Sequence, residues 1–262
     1  LTVKLLNLYY CNCGMVSADT MKNSWNLLKK FYPKKHHILI ACFPKSGSTY
    51  LSTIISNLSD FERAGLLTGY DRREQELSVE RLIYFNYKNY VAQHHTQYSS
   101  VTKDLMNMFD IKPIILVRNL FDVVQSLYDH LHNESLIWPM AYVPDDFLKW
   151  DEHKAKNFIV DFMIPWYFSF YTSWNLFEKK LMITYNEVTT DPKTCIMKIL
   201  DWYNIKIKSD DLIHAIEKTS DQSTRKNIGK SGRGENLPKD IKEKITNMSK
   251  YYPNIDFSPI GL

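Results

Sequence analysis

A chain of 262 residues with 44% hydrophobic and 24% charged side chains can bury a large core, and one α/β domain spanning 1–262 is the simplest organisation. Its formal net charge of +4 comes from scattered cations, apart from Lys29, Lys30, Lys34, Lys35 and the stretch Arg225 to Arg233, so a nucleic-acid face is not indicated and a local phosphorylated ligand accounts better for the excess. Solvated lysines explain the first cluster equally well. No segment offers ~18 uninterrupted apolar residues, and Leu1 to Tyr10 carries Lys4 without a basic leader or cleavage pattern, so no membrane partner is expected.

Chain order shows strand and helix patterns in alternation. A helix is predicted over Asp19 to Phe31, then an apolar strand over His37 to Cys42 and a helix over Ser48 to Leu58. A strand at Tyr90 to Gln93 and a helix at Ser100 to Met108 follow, and Pro113 to Val117 is a third strand leading into a helix from Leu120 to His132. Ala155 to Leu176 is predicted as one helix. Leu181 to Thr184 is a fourth strand, and helices follow at Pro192 to Tyr203, Asp210 to Lys218 and Lys239 to Lys250. Asp191 and Pro192 supply a cap and a first-position proline for the first of these three.

Short Ile/Leu/Val runs, each followed by a helix, predict a three-layer α/β fold with a central, mainly parallel sheet flanked by helices. Asp60 to Gln75 and Asn133 to Asp151 are long irregular stretches of the kind that form binding walls.

Cysteines at 11, 13, 42 and 195 make no pair with metal-ligand spacing, and no other metal constellation is seen. Cys42 and Cys195 sit in apolar runs as small core residues, and Cys11 and Cys13 are too close for an ordinary staple, so a reducing, cytoplasmic setting is expected.

The segment between the first strand and its helix, Phe43-Pro44-Lys45-Ser46-Gly47-Ser48-Thr49-Tyr50, carries the chemistry. A Gly/Ser/Thr loop opening a helix presents backbone N–H groups and the positive dipole end, and Lys45 adds a mobile cation, so it suits phosphate or sulfate. Lys45 precedes the only glycine, which excludes the GxxxxGK[ST] loop of nucleotide hydrolases.

Pro44 to Tyr50 closely resembles the PKSGTTW signature of sulfotransferases that use 3′-phosphoadenosine 5′-phosphosulfate (PAPS), with Ser48 for the first threonine and Tyr50 for tryptophan. Further signatures follow in order. Arg118-Asn119-Leu120-Phe121-Asp122-Val123-Val124-Gln125-Ser126 resembles R(N/D)xxDxxxS, which in the family binds the donor's 3′-phosphate. Thr184-Tyr185-Asn186-Glu187-Val188 resembles the family's YEDL stretch, and only Tyr185, on the adenine side, carries over. Arg225 to Gly234 resembles the RKGxxGxW loop that wraps the 3′-phosphate; Arg225, Lys226, Gly229, Lys230 and Gly232 are taken as a group because two alignments fit. Thr219-Ser220 is a weak match to an upstream nucleotide-contacting pair.

The resemblance also implies a histidine base in a KTH-like context, here Gln93-His94-His95. Aligning the strand with the family's puts His95 under its histidine, and since neighbours on an extended segment point to opposite sides, only one of His94 and His95 should face the site. By the same resemblance Lys45 stabilises the departing group, Ser126 holds Lys45 back until acceptor is present, and Ser46, Gly47, Ser48, Thr49 and Tyr50 complete the donor cradle. The implied reaction moves a sulfuryl group from PAPS to a hydroxyl or amine of a small organic acceptor, leaving 3′-phosphoadenosine 5′-phosphate (PAP), with no metal.

Acceptor walls are expected from Asp60 to Gln75, Asn133 to Asp151 and Phe158 to Trp174, although most aromatics of that last helix read as core. Tailoring of an alkaloid or similar secondary metabolite is one use of such an enzyme. Homodimerisation stays open. A nucleotide or small-molecule kinase and a non-catalytic nucleotide-binding scaffold are the alternative readings.

Overall fold

Five short runs form a sheet in which every pairing is parallel, in the order β2-β3-β1-β4-β5: β1 His37–Cys42, β2 Glu62–Arg63, β3 Tyr90–His94, β4 Ile114–Val117 and β5 Leu181–Thr184. In this computed structural model the structure describes residues 35–58, 60–68, 74–221 and 231–262. The helix expected at Asp19 to Phe31 and the first cysteine pair lie outside them.

The helices are α1 Ser48–Asn57, α2 Val79–Phe85, α3 Ser100–Met108, α4 Leu120–Asn133, α5 Glu152–Phe162, α6 Ile164–Asn175, α7 Tyr185–Thr190, α8 Pro192–Tyr203, α9 Ser209–Asp221 and α10 Lys239–Ser249. The expected α/β fold is what the chain adopts, with helices on both faces of the sheet. The strand period of two sorts side chains onto those faces. Leu39, Ala41, Tyr90, Ala92, Ile115 and Val117 pack with α4, α5, α6 and α10, while Ile38, Ile40, Cys42, Val91, Ile114, Leu116 and Ile183 pack with α1 and α8.

Three features depart from expectation. The single helix over Ala155 to Leu176 is two, because Pro165 has no N–H for the preceding turn and instead occupies the start of α6. Within the stretch from Asp60 lies β2, a two-residue edge strand on β3, and Ser78 caps the unforeseen helix α2 by accepting from Arg81 N at 3.5 Å. Tyr185 to Thr190 forms α7, capped reciprocally by Thr184 and Glu187. Glu187 thereby spends its carboxylate on the Thr184 amide (2.7 Å) and hydroxyl (2.9 Å).

The expected cap of α8 is present, and a further one starts α4. Asp191 accepts from Thr194 N at 3.0 Å with Pro192 at the first helical position, and Asn119 accepts from Phe121 N at 2.9 Å to start α4. No helix among the described residues is long and apolar enough to cross a membrane.

Candidate active site

Strand parity builds the site. Continuing the alternation of β3 and β4 past their ends puts Gln93 and His95 with Val91, and Arg118 with Leu116, on the face that carries α1. Tyr185 follows Ile183 on the same face from β5. All of these lie at the carboxyl ends of parallel strands, where open α/β sheets leave a crevice.

The crevice is a cavity of ≈ 300 Å³ lined by the loop after β1, by Gln93 and His95, by Arg118, Ser126, His130 and Glu134, by Trp138 and its neighbours, and by Tyr185. Lys45, Gly47, Ser48, Thr49, Tyr50, His95, Arg118, Ser126 and Tyr185 thus come together as one lining. Ser46 and Gly232 are not among the lining residues. Arg225, Lys226, Gly229 and Lys230 lie outside the described residues.

The loop is shaped for an anion. Lys45 and Gly47 both have left-handed backbone, φ 64° and 80°, and no side chain caps α1 at Gly47. A Cβ on Gly47 would lie 3.0 Å from the Tyr185 ring, so a side chain there would crowd the cradle. Ser46 turns inward and donates its hydroxyl to the Phe43 carbonyl at 2.6 Å. From the opposite face, the Tyr167 hydroxyl donates to the Pro44 carbonyl at 3.3 Å and the Trp174 indole donates to the Thr96 carbonyl at 2.9 Å.

Arg118 is buried. It donates to the Lys45 carbonyl at 3.0 Å, lies 4.0 Å above the Tyr185 ring, and stands 3.8 Å from Asp122. Desolvation lowers its pKa, opposed chiefly by Tyr185 and Asp122. Asp122 in turn accepts from the backbone of Gly232 (3.0 Å) and Gly234 (2.8 Å), docking the C-terminal loop onto the start of α4. A Cβ on Gly234 would come within 2.3 Å of the Phe121 backbone, so only glycine permits that approach.

The two histidines part company. His94 faces away: it is buried, its Nε2 accepts from Leu66 N at 3.0 Å, and burial, then the neighbouring His95, lowers its pKa to about 3. His95 lines the cavity. Its Nδ1 lies 2.9 Å from the Cys42 carbonyl, an acceptor only, so Nδ1 carries the proton and the lone pair resides on Nε2. Its backbone N–H is held by Gln75 Oε1 at 2.6 Å. Burial lowers the His95 pKa and the Cys42 hydrogen bond partly offsets this, so the net shift favours the neutral ring.

Gln93, in the place of a lysine, is pinned to α1. It donates to Ser48 Oγ at 2.8 Å and accepts from Ser52 Oγ at 3.0 Å. Thr219 is buried in α9 and accepts from Asn57 Nδ2 at 2.9 Å, away from the cavity lining.

Sequence reading missed His130 and placed Glu134 only within the wall from Asn133, without naming it. They continue the four-residue stripe of α4 from Asp122 and Ser126, a spacing that could have revealed them. Of the three expected acceptor walls, the stretch from Asn133 contributes Glu134, Ile137, Trp138 and Pro139, and that from Asp60 contributes Gln75. Phe158 to Trp174 contributes no lining residue; Tyr167, Phe168, Phe170 and Trp174 are core, because α6 packs under the sheet. Asp146 accepts from the Trp150 indole, and Asp151 caps α5.

Comparison with known proteins identifies the family and the fold. The sulfotransferase domain family matches residues 35–250. The chain is 25% identical over 223 residues to sulfotransferase 1A1 of Bos taurus, covering 76% of this chain and 70% of that protein. It is 26% identical over 218 residues to sulfotransferase 2A1 of Rattus norvegicus, covering 81% and 74%. Its fold is similar to that of mouse sulfotransferase SULT7A1 solved with PAP, with a TM-score of 0.63 at 16% identity over 88% of this chain and 90% of that one. Retinol dehydratase solved with androsterone and PAP is also similar, with a TM-score of 0.52 at 13% identity, covering 86% and 85%. With most of its length matched, and the anion loop, Arg118 and Tyr185 meeting at one crevice, the chain belongs to the sulfotransferase family and is an enzyme of sulfuryl transfer.

Proposed function

We propose that the chain transfers a sulfuryl group from PAPS to a hydroxyl or amine of a small organic acceptor, with His95 as general base and Lys45 as the cation at the leaving group. The observation that carries this is the joint lining of one cavity by Lys45, His95, Arg118 and Ser126. The residues fit the donor: Gly47 leaves an open cradle at an uncapped helix start, and Arg118 supplies a buried cation stacked on Tyr185.

When bound, PAPS supplies an activated sulfuryl group on a phosphate leaving group. Arg118 holds the 3′-phosphate and Tyr185 borders the adenine side. Gly47, Ser48 and Thr49 offer amides to the 5′ end at the start of α1, with Ser46 and Tyr50 flanking them. His95 Nε2, unprotonated because Nδ1 is tied to Cys42, takes the acceptor's proton. Lys45 would place its ammonium beside the departing oxygen, and Ser126, as the resemblance implies, would hold Lys45 back until acceptor is present. As the family resemblance implies, Arg225, Lys226, Gly229, Lys230 and Gly232 as a group would contribute contacts to the 3′-phosphate. The acceptor stands against Trp138, Ile137 and Pro139, an apolar wall suited to a small organic molecule.

Thermal stability in the presence of PAP, compared with ATP and magnesium, tests the donor. A hundredfold excess of PAP over its Kd is expected to stabilise the fold by about 2.7 kcal/mol. Stabilisation by ATP and magnesium instead would move the protein to the kinase reading, and binding without turnover on an acceptor panel would leave a scaffold. Arg118→Ala should weaken PAP binding about tenfold to a hundredfold in a calorimetric titration, with turnover at saturating donor much less affected.

A further inference from the structure

Lys45 already has an anionic neighbour inside the cavity. Its Nζ lies 3.5 Å from Glu134 Oε1, and the other carboxylate oxygen, Oε2, lies 2.9 Å from His130 Nδ1. Glu134 sits at the last turn of α4, where its N–H donates to the His130 carbonyl at 2.8 Å, so the pair is fixed on the helix that also carries Ser126. Among the residues lining the cavity, Glu134 is the acidic one. Although burial pushes its carboxyl up, the Lys45 charge and the His130 hydrogen bond outweigh that and hold it below the usual range. The Lys45 backbone, by contrast, is clamped by Arg118 at its carbonyl, so only the side chain can change partners.

We propose that Glu134 is a positioning residue that tethers the Lys45 ammonium toward the acceptor end of the cavity, so that an anion entering the cradle must win Lys45 from a carboxylate. This rests on the donor reading above and adds a control to it. A cation held by Glu134 is unavailable to the leaving group, and the exchange of its partner couples filling of the cradle to arming of the site. His130 shares the carboxylate and keeps it in place when Lys45 departs.

A double-mutant cycle read by calorimetric titration of PAP tests the tether, using wild type, Glu134→Gln, Lys45→Ala and the double variant. Glu134→Gln should tighten PAP binding about threefold to fivefold at low ionic strength, the range for a partly exposed ion pair. With Lys45→Ala, less than half of that gain should remain. An equal gain in both backgrounds would reduce Glu134 to a general repulsive charge and overturn the tether, as would no gain with Lys45 present. Should Glu134→Gln fail to fold, Glu134→Asp keeps the charge on a shorter stem and should give a smaller gain of the same sign; no gain again overturns the tether. Loss of PAP binding in the wild-type protein would instead remove the donor reading itself, so the two failures are distinguishable.

Discussion

Lys45→Ala should lower turnover about 100-fold to 1000-fold, the cost of removing one preorganised charge from a developing anion. The argument starts from the backbone. Lys45 occupies left-handed φ of 64°, which aims its side chain from the loop across the cavity, and Arg118 fixes its carbonyl at 3.0 Å. Sulfuryl transfer resembles phosphoryl transfer in demanding little covalent chemistry and much charge stabilisation, so loss of this cation should appear in kcat. PAP affinity should fall by no more than about tenfold, because Arg118 and the α1 amides remain. Single-turnover rates at saturating donor separate the two effects; an unchanged rate would strike Lys45 from the mechanism.

His95→Ala should cost about 100-fold to 10,000-fold in kcat/KM, the usual contribution of a positioned base, while leaving PAP affinity intact. The pH profile carries the sharper prediction. Burial lowers the His95 pKa, so the neutral form persists to lower pH than for an ordinary histidine. Activity should hold as pH falls through about 6.5 and decline only below it, where the ring gains its proton. In His95→Ala that acid limb should vanish. His94→Ala makes the contrast: it leaves the limb in place and reduces thermal stability, because it removes a buried ring that accepts from Leu66 N. An acid limb that survives His95→Ala and disappears with His94→Ala would reverse the assignment.

Much of the site was legible because it depends on local rules. The alternation of β3 predicts that His94 and His95 part to opposite sides, with the family resemblance choosing His95, and the order of glycine and lysine after β1 predicts an anion loop other than the nucleotide-hydrolase type. Spacing within Arg118 to Ser126 places both residues toward one crevice. What escaped depends on distant contacts. β2 exists because the Glu62–Arg63 backbone pairs with Tyr90 and Val91, a partnership that two residues cannot announce. Glu134 was placed only in the loop wall from Asn133, because the helix reads as ending at His132, although its last turn still delivers this side chain into the cavity. The aromatics of α6 have helical spacing whether they face a ligand or a core, and only the layer beneath the sheet decides.

That buried helix nonetheless governs the chemistry above it. Tyr167 holds the carbonyl of Pro44, next to Lys45, and Trp174 holds that of Thr96, next to His95. Seven residues separate the two anchors, two turns or about 10.5 Å of rigid α6. The helix therefore acts as a jig: the interval between the cation and the base is set on the far side of the sheet. The loop carrying Ile137, Trp138 and Pro139 stands apart from those anchors, so its sequence can drift to suit new acceptors while the reacting groups keep their spacing.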